Sequence, residues 1–375
     1  MRIDISLFFH KLAFHSLTKL VLLTGLLQAC SEPVDQAHPP IKRLAADIAQ
    51  FQNPSPDFAL TFPEAHAPKK TFRQEWWYLT ANLTTDKGDD IATQWTLFRL
   101  AIEDKHWYFA HAALADTNRH STAFRDGREE LGTVQIQSTP FHAQIADWQW
   151  RATAEHLPPE LLPAELSYGT RPLEPDSSPA KRVRPSDWHV KLNLNTEAPF
   201  FLQGKQGFSR KHHQFDIASH YYSQPFIEVT GTILWQGKWQ RVKGNAWFDR
   251  EWGSQMLADD QEGWDWFSLR LDQDTVLMVY RIRSSKEDFL YASVMSRNGD
   301  MQTLGGSDIQ VSTERTGGRY PLAFRLTIPG QGIDVRVEVI NDQQIMRMGI
   351  EYFEGMVRFD GSHTGLGFLE MTGYE

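Results

Sequence analysis

From residue 75 onward the chain is dominated by short runs of alternating apolar and polar residues, separated by tight polar turns. Successive side chains of a strand point to opposite faces, so Glu75-Trp76-Trp77-Tyr78-Leu79-Thr80-Ala81-Asn82-Leu83 puts Trp77, Leu79, Ala81 and Leu83 on one face. The polar turn Asp86-Lys87-Gly88-Asp89 follows, then apolar runs from Ile91 to Ile102 and from Trp107 to Ala115. The rhythm returns at Phe226 to Trp235, Gln236-Gly237-Lys238, and Trp239 to Trp247. It returns again at Phe267 to Leu271, Asp272-Gln273-Asp274, and Thr275 to Ile282. Asn298-Gly299 is the strongest short hairpin signal, since both positions tolerate positive φ. Long helical patterns are nearly absent. The expectation is an all-β protein of antiparallel barrels or sandwiches.

Two stretches break this rhythm. Residues 31–70 hold seven of the nineteen prolines and read as a flexible tether. A short helix is expected within it, because Ile41, Leu44, Ile48 and Phe51 fall near helical spacing. His156 to Trp188 holds seven more prolines and the cluster Lys181-Arg182-Val183-Arg184. Its length predicts a large excursion from the barrel rim, either solvated or covering a pocket.

The N-terminus changes the picture. Arg2, Lys11 and Lys19 precede the apolar run Leu20 to Leu27, too short for a stable membrane span but suited to a signal-peptide core. Leu27-Gln28-Ala29-Cys30 resembles a lipobox, and Cys30 is the single cysteine of the chain, so it has no internal disulfide partner. A signal peptide over 1–29 and a lipidated Cys30 are therefore expected. Ser31 in place of an aspartate resembles the sorting signal for the outer membrane of Gram-negative bacteria, with the protein facing the periplasm.

A net charge of −9, with no basic stripe, argues against nucleic acid as a partner. Aromatic residues make up 12%, and all thirteen tryptophans lie between Trp76 and Trp266, which suggests a rigid interior wall, a ligand pocket, or both.

Three clusters can carry chemistry. They are Glu75-Trp76-Trp77-Tyr78 with Arg99 and His111 on neighbouring strands, Gly244 to Gly253 around Asp249-Arg250-Glu251, and Gly263-Trp264-Asp265-Trp266-Phe267. A carboxylate walled by aromatics loses solvation and can act as a general acid near neutral pH. Asp249, Glu251 and Asp265 are the candidates, with Glu75, Trp77, Trp247, Trp252, Trp264 and Trp266 as walls. The competing reading is structural: these acids pair with Arg99, Arg250 or indole N–H groups and lock the barrel ends. Alternation sends Asp249 and Glu251 to one face, and Arg99 is the expected partner of that pair. His212-His213 and His220 lack the spacing of a metal site, and no serine-hydrolase elbow, phosphate loop or dinucleotide fingerprint is present. No metal and no cofactor is expected.

At these clusters the chain resembles the AttH family. The resemblance rests on Glu75-Trp76-Trp77-Tyr78, Tyr222-Ser223-Gln224-Pro225, Asp249-Arg250-Glu251-Trp252-Gly253 and Gly263-Trp264-Asp265-Trp266. Tyr352-Phe353-Glu354-Gly355 and Glu370-Met371-Thr372-Gly373-Tyr374 extend it, so it runs from about Glu75 to Tyr374. It implies two tandem lipocalin-like (calycin) barrels, relatedness to carotenoid 1,2-hydratases and fungal Diels–Alderases, and apolar ligands such as lipids or polyenes. It adds Tyr222 and Tyr280 as candidate pocket residues and an ABC exporter with an FtsX-like permease as a partner. Some relatives carry the label of secreted hydrolase. Arg250 stands where the hydratases carry histidine, and an arginine is no proton donor near neutral pH, so carotenoid hydration does not carry over.

The expected organisation is a tether over 30–70, a first barrel over 71–240 and a second over 241–375. Two functions remain: a periplasm-facing lipoprotein that binds or presents an apolar molecule, and a lyase, isomerase or hydrolase that uses one of the acids. A carboxylate in a barrel-end ion pair favours the binder. One without a basic partner in an apolar surround favours the enzyme.

Overall fold

The computed structural model describes residues 50–374 apart from 103, 154–160, 171–183, 185 and 349. Cys30, the leader and the helical pattern from Ile41 to Ile48 lie outside the described residues. The remainder is all-β, in two antiparallel sheets. The first holds thirteen strands and is a nearly closed barrel; the second holds ten and is a half-barrel.

In the first sheet Gln74–Thr85 lies between Asp90–Ile102 and Lys238–Gly253, so the start and the end of the sheet's sequence are hydrogen-bonded neighbours. Trp77, Leu79, Ala81 and Leu83 point into the barrel, as alternation dictates, and meet Trp95, Trp148, Trp150 and Trp188. Small residues such as Ala110, Ala112 and Ala143 line the same core, which makes room for the indoles. The second sheet runs from Gln261–Arg270 to Gly365–Met371 and encloses its own core of Phe267, Phe324, Phe353 and Phe359. A third core joins the outer faces of the two sheets. The first sheet contributes Tyr78, Tyr221, Phe226 and Trp247; the second contributes Trp266, Met278, Tyr280, Met356 and Phe368.

The structure differs from the sequence reading in three places. Residues 50–70 pack as part of the barrel: Phe62 stacks on Phe200 at 4.7 Å, His66 is fully buried, and Ser254 Oγ donates to Gln52 O at 2.5 Å. Proline content suggested a solvated tether, yet Phe62, Ala65 and His66 fill one end of the barrel. Within the expected excursion, Ala164–Gly169 is a strand between Trp148–Ala152 and His189–Asn195. Finally, the Gln236-Gly237 turn joins two long strands of the first sheet, which continues through Gly253, so the break between sheets falls between Gly253 and Gln261.

Candidate functional site

Register decides which acids meet. Asp249 lies opposite Tyr78 on one neighbouring strand and Ser223 on the other, and all three belong to the outer face of the first barrel. On the second sheet Glu354 lies opposite Glu370, Glu370 opposite Trp266, Trp266 opposite Tyr280, and Tyr280 opposite Tyr291. The two rows face each other across the seam. Trp266 sits edge-on to Tyr78 at 5.5 Å and to Trp247 at 5.9 Å, and Trp266 Nε1 donates to the Tyr221 hydroxyl at 3.3 Å.

Asp249 is held by neutral donors alone. The Tyr221 hydroxyl donates to Oδ2 at 2.8 Å, and the Ser223 hydroxyl and Trp247 Nε1 donate to Oδ1 at 2.5 and 2.8 Å. Burial raises its pKa to about 7; those three hydrogen bonds oppose the shift and the nearby Glu251 adds to it. Glu370 is likewise raised by burial to about 7, with Trp264 Nε1 donating to it at 2.7 Å. Burial, and next the Glu370 charge, drive Glu354 well above the carboxylate range, and its two oxygens are buried without a hydrogen-bond partner of good geometry. Among the described residues no ion pair reaches Asp249, Glu354 or Glu370.

Glu251 is different. Lys211 Nζ lies 2.7 Å from it, over the rings of Tyr221 and Tyr280, and the Ser219 hydroxyl donates to the same carboxylate. Tyr280 bonds the Ser209 hydroxyl at 3.1 Å and donates to Arg210 O at 2.9 Å. His111, neutral because burial lowers its pKa to about 4, is 3.0 Å from the Tyr352 hydroxyl across the seam.

Of the residues singled out from sequence, the seam therefore gathers Asp249, Glu251, Tyr280, His111, Trp247, Trp264 and Trp266. Glu75, Trp77, Arg99, Trp252 and Tyr222 lie instead inside the first barrel. Glu75 pairs with both Arg99 and Arg250; burial pushes its carboxyl up, but Arg250 and Arg99 prevail and hold it low. Arg250 is stacked 3.9 Å over Trp77 and 4.9 Å from Trp252, and the Tyr222 hydroxyl is 2.6 Å from His66 Nδ1. The arginine pairing expected for Asp249 and Glu251 thus belongs to Glu75, because Arg99 and Arg250 point inward. Asp265 sits on the inner face of the second sheet, bonded by Arg281 at 2.7 Å and by the Tyr374 hydroxyl at 2.9 Å. It is a structural ion pair. Glu354, Glu370 and Tyr221 are seam groups that the sequence does not single out, and Tyr78 stands in the first cluster without a role of its own. The available signal was an acid interrupting otherwise apolar strands near the C-terminus.

The AttH-like family model matches residues 53–374. A crystal structure of an AttH protein from Nitrosomonas europaea is 29% identical, with a TM-score of 0.72 over 87% of this chain and 100% of that one. Kievitone hydratase from Nectria haematococca shares the fold at 13% identity and TM-score 0.63, over 86% of this chain and 96% of its own. CghA, solved with Sch210972, shares it at 11% identity and TM-score 0.50, over 87% and 97%. Among curated proteins none matches significantly.

Proposed function

The chain belongs to the AttH-like family, and from that premise we propose that it is a lipid-anchored protein that takes an apolar, unsaturated molecule into the seam between its barrels and protonates it from Asp249. One observation carries the chemistry: a fully buried carboxyl with a pKa raised by burial to about 7, donors but no cation on its oxygens, and two indoles beside it. Such a buried acid holds its proton to higher pH than an exposed carboxyl and can deliver it to a substrate beside it.

The Asp249 O–H proton goes to one carbon of a C=C bond, whose π electrons form the new C–H bond. The cation left on the other carbon is stabilised by the faces of Trp247 and Trp266. Two endings balance. A water molecule adds to the cation and returns a proton to the Asp249 carboxylate, giving hydration. Alternatively, a neighbouring carbon returns its proton, giving a shifted double bond. Glu251, ion-paired with Lys211, holds Lys211 over the rings of Tyr221 and Tyr280. Among the described residues no basic side chain pairs with Asp249, which favours the enzyme over a protein that only presents its ligand.

Cys30, by its lipobox context, supplies the anchor, with Ser31 supporting the periplasmic face of an outer membrane. An ABC exporter with an FtsX-like permease is the partner that the family resemblance supplies. The test is extraction and mass spectrometry of small molecules co-purifying with wild type and with Asp249→Asn. The variant should retain a substrate that wild type returns with the mass of one added water or as an isomer of equal mass. Identical extracts, or none, overturn the proposal.

A further inference from the structure

The outer face of the first barrel is apolar well beyond the part that the second sheet covers. Trp76 packs against the seam core. Register carries the same face from it to Phe98 and Phe109, stacked at 4.8 Å, and then to Leu100 and Trp107. Ile102 continues the face to the end of its strand. Trp76, Phe98, Leu100 and Phe109 are half-buried, whereas Trp107 is 39% exposed and Ile102 53%. Arg128 lies 3.8 Å over the Trp107 ring, and beyond it Leu131 is 73% exposed. Apolar side chains scattered singly need no explanation, but a contiguous aromatic strip that starts at a buried core and ends in solvent marks a docking surface.

The position of the incoming chain selects the occupant. Gln52 N donates to Thr71 O, and Ala101 N donates to Arg73 O, so the chain arriving from the N-terminus joins the barrel at the end where Ile102 and Trp107 are exposed. Gln50 follows Cys30 by twenty residues. An extended chain of that length reaches at most roughly 70 Å, so the anchor keeps this end within reach of the membrane that holds it. Tryptophan and arginine beside aliphatic residues suit a lipid–water interface, where an amphipathic ring sits at headgroup level.

We propose that the face formed by Trp76, Phe98, Leu100, Ile102, Trp107 and Phe109 docks on a lipid bilayer and leads an apolar molecule from it toward the seam. The docking rests on the anchored reading of Cys30 only for its choice of occupant; the route to the seam rests on the proposed chemistry at Asp249. Trp76 is the joint between them, since it packs on the seam core and lies opposite Glu251.

The test uses the chain from Ser31 onward, which lacks the lipid and retains every described residue. It is floated with unilamellar vesicles of phosphatidylethanolamine and phosphatidylglycerol. Wild type should float, and Ile102→Ser and Trp107→Ser should each lower the partition about tenfold, the scale of one large apolar side chain left in water. Both residues are exposed, and unchanged melting curves would confirm that the variants fold. Trp239→Ser removes an exposed indole from the opposite end of the sheet and should leave partition unchanged, as should Asp249→Asn. Wild type that stays unbound overturns the proposal and assigns the face to a protein partner. An equal loss with Trp239→Ser overturns it as general stickiness. Because Asp249→Asn leaves the face intact, failure of the chemistry and failure of the docking are read separately.

Discussion

The Tyr221 hydroxyl donates to Asp249 at 2.8 Å while accepting from Trp266 of the opposite sheet at 3.3 Å, so the acid is tied to both barrels through one phenol. Neither group supplies positive charge. Ionising Asp249 therefore places an anion in the seam beside the Glu251 carboxylate, and the protein resists it.

That resistance sets a sign for stability. The Asp249 pKa is raised from 3.8 to about 7, so between those values the folded state holds a proton that the unfolded state has lost. This contribution makes stability fall as pH rises through that window, with the whole penalty present above pH 7. Asp249→Asn removes it. Asn accepts from Ser223 and Trp247 through its oxygen, while the Tyr221 hydroxyl can turn to accept from its amide. The variant should gain on wild type from pH 4 upward, reaching on the order of 3 kcal/mol at pH 8. Buried neutral histidines, among them His66 and His220 with pKa lowered to about 3 and about 4, act in the opposite sense. The informative quantity is thus the difference between variant and wild-type melts. A variant that melts lower at pH 8 would return Asp249 to the role of a paired structural acid.

Glu75 is where a structural acid does reside. Glu75→Gln leaves Arg99 and Arg250 facing each other in a buried barrel end without their shared carboxylate. The loss should be about 3–5 kcal/mol at neutral pH. Denaturant titration checks it, and a loss below about 1 kcal/mol would mean that the carbonyls of Ala67 and Phe72 suffice as acceptors.

Removing residues up to Pro68 should destabilise the protein. The cut deletes Phe62 and His66 and leaves the Trp77 Nε1 donor, which now bonds His66 O at 2.9 Å, without its acceptor. A chain starting at Lys69 should lose more than about 3 kcal/mol or fail to melt cooperatively. Melting at the parent temperature would show the segment to be an ornament on the barrel.

Cys30→Ser should move the protein from the membrane fraction to an uncleaved or soluble form. Fractionation after high-salt washing reads it out, and tight retention of the variant in the membrane would contradict lipidation.

The sequence made the strands legible because alternation and turn chemistry are local: Gln236-Gly237 and Asn298-Gly299 are both turns between paired strands. Which barrel a strand joins is not local. Trp239 to Trp247 pairs across its turn with the preceding strand, yet its other partner is the strand from Gln74, more than 150 residues away, and nothing near residue 240 announces that. Alternation correctly put Asp249 and Glu251 on one face and Arg250 on the other. It could not say that Arg99 shares the inner face with Arg250, since that needs the register of Glu75 against both strands. Glu354 and Glu370 looked like members of a motif until pairing set them side by side opposite the indoles. Proline content misled at residues 50–70, where a few apolar side chains settle the packing.

Everything proposed for the seam depends on Asp249 holding its proton near neutral pH. Carbon-13 NMR titration of aspartate carboxyls, comparing wild type with Asp249→Asn, tests it directly. One resonance missing from the variant should titrate near pH 7 in wild type; a missing resonance that titrates near pH 4 or below would mean that Asp249 is an ordinary ionised carboxylate.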